Sequence, residues 1–306
     1  MNVRRAEIVR DGFQYLEGFR WHGGEVWFSD IPLGKVYRMK PDGSGLNLAL
    51  DEPIHPSGLG FPATGETLVV GQADNTLRRI LPTGGSVVVA DLNDVAVGAN
   101  DMWVAPNGRA YISQIGFDLF TEEPKPSHVV IVHPDGTIET AGEDMWTPNG
   151  IQLTADGTQL VVAESFANRL TLFDVDANGG LANQRVFRQF EDPQQEVLDG
   201  LVIDAEGGIW VAVPFEGEVR RVAPDGKVTD KVKTHTEGHL GITCALGGAD
   251  RRTLYIAAAD TQMETLFDGT ARVEAARVDI PGIDLEPSLL TRLTSPLKSA
   301  LPLSGN

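Results

Sequence analysis

The sequence predicts an all-β fold: a six-bladed β-propeller with a metal site on its axis. Two observations predict it. A turn-then-strand unit recurs at the period of a propeller blade, and a polar, oxygen-bearing residue stands at the start of each recurrence. The equivalent positions Gly18, Gly58, Asp101, Gly150, Gly200 and Cys244 lie 40, 43, 49, 50 and 44 residues apart. A period of roughly 40–50 residues made of strands gives about four strands per blade. The segments read as strands, not helices, because apolar and polar residues alternate around short turns such as Asp156-Gly157.

The first unit spans 17–43 and sets Glu17 ahead of a strand-like run over 25–29, with Gly23 and Gly24 as the turn. The second spans 56–84. The third spans 100–136 and carries an insertion, 114–126, with Phe117, Leu119 and Phe120. It is longer than a turn needs, so it reads either as an outer loop packed by its own apolar side chains or as a lid over a pocket. The fourth unit, 148–179, and the fifth, 198–226, each hold a hairpin; the sixth spans 242–278. Blades therefore begin near 17, 57, 100, 149, 199 and 243. Residues 3–9 alternate weakly and are expected to supply the outer strand of the last blade, leaving no free edge. The chain, 1–306, reads as one propeller domain with a mobile tail from Pro296.

Composition narrows the function. The formal net charge is -18 over 306 residues. That argues against nucleic acid, whose phosphates need Lys and Arg, and against an anionic membrane surface. It permits cation binding. No apolar run approaches the roughly 20 residues of a membrane helix, and no apolar stretch follows the basic N-terminus as a signal peptide would require. Cys244 is the one cysteine, so no intrachain disulfide is expected and a cytoplasmic location fits. A monomer or small homo-oligomer is expected, with a small-molecule substrate.

In a propeller the strand starts gather at one mouth of the central channel. The residues there are Glu17, Ser57, Asn100, Asn149, Asp199 and Thr243. Any one of them is ordinarily a turn residue. As a set they point further, because chance would put apolar residues at some of six positions. Glu, Asn and Asp offer only oxygen to a cation, which suits Ca²⁺, Mg²⁺ or Mn²⁺ better than a closed zinc site. Three protein ligands would leave positions open for water and substrate. His235 and His239 have metal-like spacing but lack a third ligand, and Gly238 breaks the helix such a pair needs.

Five motifs in order carry a family resemblance: Glu17-Gly18 with Trp21-His22, Asn100-Asp101, Pro148-Asn149-Gly150, Asp199-Gly200-Leu201, and Cys244-Ala245-Leu246-Gly247-Gly248 with Asp250. Together they resemble the SMP-30/gluconolactonase/luciferin-regenerating enzyme family over nearly the whole chain. The resemblance implies a six-bladed propeller with one divalent ion on its axis, Ca²⁺ first and Zn²⁺, Mg²⁺ or Mn²⁺ as alternatives. It implies Glu17, Asn149 and Asp199 as the ligands and Asp199 as general base. Asn100 would reach the metal through water or hold substrate, and Asp101 and Trp103 are further substrate-binding candidates. The implied reaction is lactone hydrolysis. The ion polarises the carbonyl and acidifies a water, and Asp199 takes the water's proton.

Two positions depart from the family. An Arg that many sugar-lactone members carry two residues before the third-blade Asn is Gly98 here, and an Asp five residues after it is Ala105. A less hydroxylated lactone or another ester-like substrate is therefore in view. Two other readings stay open: a calcium-binding or ligand-binding regulatory propeller, and another metal-assisted reaction such as organophosphate hydrolysis or a lyase step.

Overall fold

The structure is a computed structural model that describes residues 1–119, 121–260 and 269–284. The tail from Pro296 and Phe120 lie outside the described residues. The rest is almost wholly strand, in six sheets. Each sheet is one blade, and in four of the six the strands run in chain order from the axis outward; the other two end on an N-terminal strand. The inner strands are Leu16–His22, Pro56–Gly60, Ala99–Val104, Pro148–Leu153, Leu201–Ile203 and Leu240–Gly247. Each touches the inner strand of the next blade, and the last touches the first. The chain is thus a six-bladed β-propeller.

Burial of the strand faces holds the ring together. Six apolar clusters fill the gaps between neighbouring blades. Phe19 and Phe28 of blade one meet Ile242 and Tyr255 of blade six. Val36 of blade one meets Leu59 and Val69 of blade two. A second strand is covered on both faces, so Ile209–Val213 is buried along its length, and its sequence reads as a near-continuous apolar run rather than an alternation.

Ring closure differs from expectation in one respect. The single strand expected over 3–9 is two strands. Glu7–Phe13 pairs antiparallel with Thr270–Arg277 and becomes the outer strand of blade six. Asn2–Arg5 pairs in parallel with Val228–Lys233 and adds a fifth strand to blade five. The break falls at Ala6, which is 1% exposed and packs in the cluster between blades five and six. Its N–H bonds the carbonyl of Lys233 at 2.9 Å. A small apolar residue tucked into that seam lets the chain cross from one blade to the next.

The repeated glycine of the inner strands has a steric cause. A Cβ on Gly150 would lie 2.5 Å from the carbonyl oxygen of Asp199 and 2.6 Å from the amide nitrogen of Leu201. The inner strands approach so closely at the axis that no side chain fits between them. We expect Gly150→Ala to lower stability by about 3 kcal/mol through overpacking against fixed backbone. Gly65→Ala, at a turn with φ +86° and open space around it, should cost about 1 kcal/mol from backbone strain alone. Denaturant midpoints compare them; equal losses would show that axial crowding is not what requires glycine.

Candidate active site

The side chains at the blade starts are aimed by a shared backbone irregularity. In blades one to four the register between the first two strands slips at the site residue: between Glu17 and Arg20, Pro56 and Leu59, Ala99 and Met102, and Pro148 and Ile151. Such bulges commonly re-aim a side chain next to an active site. These residues were expected just before the strands; they stand inside the strands' bulged first turns. In blade five Asp199 does precede its strand, and its N–H bonds the carbonyl of Ala212 at 3.1 Å.

A polar chain crosses the floor of the central mouth. Ser57 Oγ and Gln72 Nε2 donate to Asn100 Oδ1 at 3.0 and 3.3 Å. Asn100 Nδ2 donates to Asn149 Oδ1 at 3.0 Å, and Asn149 Nδ2 donates to Ser165 Oγ at 3.3 Å. Asn149 Oδ1 accepts one bond in this chain and keeps a second lone pair.

Beside this chain lie three buried carboxylates, Glu17, Asp101 and Asp199. Burial, then the charges of Asp199 and Asp101, hold Glu17 well above the usual carboxylate range. Burial, then the Asp101 charge, pushes Asp199 up to about 7, against bonds from Asn149 and the Gly200 backbone. Burial, with the charges of Asp199 and Glu17, also drives the Tyr15 hydroxyl well above its ordinary range. Asp199 Oδ1 is buried and has no hydrogen-bond partner. One cation answers this group: Arg20 Nη2 bonds Asp101 Oδ1 at 2.7 Å, and Nη1 bonds the carbonyl of Phe19 at 2.7 Å.

These residues fit a hard divalent ion. Burial and a neighbouring carboxylate raise both Glu17 and Asp199, one of their oxygens lacks a partner, and an amide oxygen lies within the same network; a bound cation would offset all three. Among the described residues no three His, Cys, Asp or Glu side chains group to hold an ion. The donor set at this site is therefore carboxylate plus amide.

Above the floor lies a cavity of about 130 Å³ whose wall includes Glu17, Asn100, Asn149 and Asp199. Four of the expected site residues are thus brought together. Asp101 and Trp103 are not in that wall. Asp101 turns to Arg20 and to the N–H of Met102. Trp103 packs in the cluster between blades three and four, 5.7 Å from the Arg20 guanidinium. Strand alternation explains this: past the bulge, successive side chains leave the axis.

The wall also holds residues that motif reading missed. Ile31, Gln72, Ile115, Ser165 and Pro214 line the cavity, and each directly follows the second strand of its blade. The repeat that located the first ring could have located this second one, 14 to 16 residues further along in each of these blades. From the 114–126 insertion, Ile115 and Leu119 reach the wall, and buried Phe117 packs against Phe166 with ring centroids 5.9 Å apart. Gly98 has φ +64°, and a Cβ there would meet the Ile115 side chain at 3.2 Å; a larger residue at this position would be strained and crowded.

Residues 16–260 match the SMP-30/Gluconolactonase/LRE-like region. The chain belongs to this family. An L-arabinolactonase of Azospirillum brasilense is 32% identical over 80% of this chain and 85% of its own length. A gluconolactonase of Zymomonas mobilis is 24% identical over 82% of this chain and 78% of its own. Among solved structures, a calcium-binding protein, regucalcin, from Agrobacterium tumefaciens superposes with a TM-score of 0.74 at 22% identity, covering 93% of this chain and all of that one. That likeness bears on the fold.

The Arg20–Asp101 pair is buried on both sides, so breaking it leaves a stranded charge. Arg20→Met should cost about 3–5 kcal/mol, and adding Asp101→Asn should recover roughly half. A double-mutant cycle on unfolding midpoints measures the coupling; additive losses would show that the two do not act as a pair.

Proposed function

We propose that this family member is a divalent-metal-dependent lactone hydrolase. Asp199 carries the reading: a buried carboxylate with an unpartnered oxygen, facing Glu17 at the floor of a cavity. Two relatives named as lactonases support the reaction class. The neighbour named as calcium-binding supports Ca²⁺ as the first ion to test, with Mg²⁺, Mn²⁺ and Zn²⁺ behind it. Glu17, Asn149 and Asp199 would hold the ion. When bound it supplies a Lewis acid for a carbonyl oxygen and acidifies water.

The chain's own groups then have distinct tasks. Asn100, fixed by Ser57 and Gln72, orients Asn149. Asp199 accepts the proton of the attacking water. The water oxygen forms a new bond to the carbonyl carbon, the ring C–O bond breaks, and the ring oxygen leaves as an alcohol on taking back the proton held by Asp199. Arg20 pairs with Asp101 beneath the site and offsets its negative charge.

No helix among the described residues is long and apolar enough to cross a membrane. The lone, buried Cys244 suits a reducing compartment, and we place the protein in the cytoplasm.

Proton release from a panel of small lactones, with and without chelator, tests the reaction. Ring opening should stop on chelation and return with Ca²⁺. An ion that raises the melting temperature while no lactone opens would favour the regulatory calcium-binding reading instead. At about 100 times its Kd the ion should stabilise the fold by about 2.7 kcal/mol. Asp199→Asn should lower kcat by roughly 10²–10⁴-fold, the usual worth of a general base. Unchanged turnover in that variant, with ion still bound, would remove the base role.

A further inference from the structure

The two rings of the mouth differ in chemistry. The first, at the blade starts, is polar throughout: Glu17, Ser57, Asn100, Asn149, Asp199 and Thr243. The second, which follows the second strand of each of the first five blades, is mostly apolar, with Ile31, Ile115 and Pro214. Above it the wall adds Tyr15, Leu119, Phe166, Val197, Phe215 and Leu240. Phe215 remains 38% exposed, and Leu119, Phe166 and Val197 are only half-buried. Large apolar side chains left partly wet around a concave site mark a ligand surface.

The polar groups of the upper wall are already engaged. Gln72 donates to Asn100, Ser165 accepts from Asn149, and Thr147 donates to the carbonyl of Ile115 at 3.4 Å. Among the described residues no Lys or Arg lines the cavity. The backbone at Gly98 and the Ile115 side chain leave no unstrained room for one beside the third blade. A polyhydroxylated ring would lose water against the apolar side chains here and meet few partners for its hydroxyls, and each unpaired polar group is costly to bury. An alkyl or aryl group would gain from the same wall.

We infer that the substrate is a lactone bearing an apolar alkyl or aryl substituent. Its ring carbonyl sits over Glu17, Asn149 and Asp199, and its substituent lies against Ile115, Leu119, Phe166, Val197 and Phe215. The inference rests on the lactonase reading for the chemistry, which is the same ring opening by water to a hydroxy acid. It stands on the wall alone for the choice of ligand.

The test uses a homologous series of γ-lactones, from γ-butyrolactone to γ-decalactone, beside D-glucono-1,5-lactone, all with ion present. In parallel, calorimetry follows binding of the matching γ-alkyl lactams, which this reaction does not readily open. We expect kcat/KM to rise about three- to fourfold per methylene until the wall is covered, with the sugar lactone slower than the longest alkyl lactone by at least tenfold. Lactam affinity should climb in step, with an increasingly negative heat-capacity change. Phe166→Ser should flatten the chain-length profile, lowering kcat/KM for the long-chain lactones more than for γ-butyrolactone. A flat series, or a sugar lactone opened as fast as the alkyl ones, overturns the inference and leaves the lactonase reading intact. No hydrolysis of any lactone, with lactam affinity still rising with chain length, sinks the lactonase reading and supports the apolar ligand. Neither hydrolysis nor lactam binding overturns both.

Discussion

Three carboxylates share the buried axis of this propeller, and one guanidinium answers them. Glu17, Asp101 and Asp199 are each less than a tenth exposed, and the charge of one raises the proton affinity of another. Like charges in a dry site do not all stay ionised without a partner. Arg20 satisfies Asp101 through a direct ion pair, which leaves Glu17 and Asp199 to be satisfied by protons or by a cation. That unbalanced pair is the constraint that the surrounding structure serves. The amide chain from Ser57 to Ser165 supplies neutral oxygen beside it, and the apolar wall above keeps the local dielectric low.

Bringing side chains from separate blades to one point requires the blades themselves to meet. Glycine at 18, 150 and 200 makes that possible, since a Cβ at any of them would lie within 2.5 Å of an atom in the next blade. The bulge at the same places turns Glu17, Asn100 and Asn149 into the mouth. Crowded backbone and re-aimed side chain are therefore two consequences of one local geometry. The apolar clusters between blades pack that geometry from both sides, so the carboxylate and amide oxygens of the mouth are held in place.

Much of this was legible in the sequence because it repeats. The spacing of Gly18, Gly58, Asp101, Gly150, Gly200 and Cys244 gave the blade count, and the polar residues beside them gave the axial ring. What escaped was what does not repeat, or repeats in another residue type. Arg20 has no counterpart in the other blades, and only the fold shows that it reaches Asp101 across the axis. The second ring repeats in position but not in chemistry, running Ile31, Gln72, Ile115, Ser165 and Pro214, so no motif exposed it. Asp101 and Trp103 looked like neighbours of the site because they neighbour Asn100 in sequence. A strand alternates faces, and sequence adjacency on it does not mean a shared direction. The division of the N-terminal strand at Ala6 depends on a seam between two blades, which exists only once the ring is closed.

The separation of the two rings also shows how one scaffold can keep its chemistry while its ligand changes. The floor is built into inner strands that are locked on both sides by neighbouring blades. A substitution there meets backbone at 2–3 Å, as the glycines show. The second ring stands where strands end and loops begin, and its side chains line the cavity, beside the long segment over 114–126. Gly98 links the two. It stands two residues before Asn100 on the floor, yet its missing side chain leaves room for Ile115 in the wall. The close contact at Gly98 thus excludes a larger side chain there and keeps an apolar one, Ile115, in the wall, while the carboxylates lie on other strands.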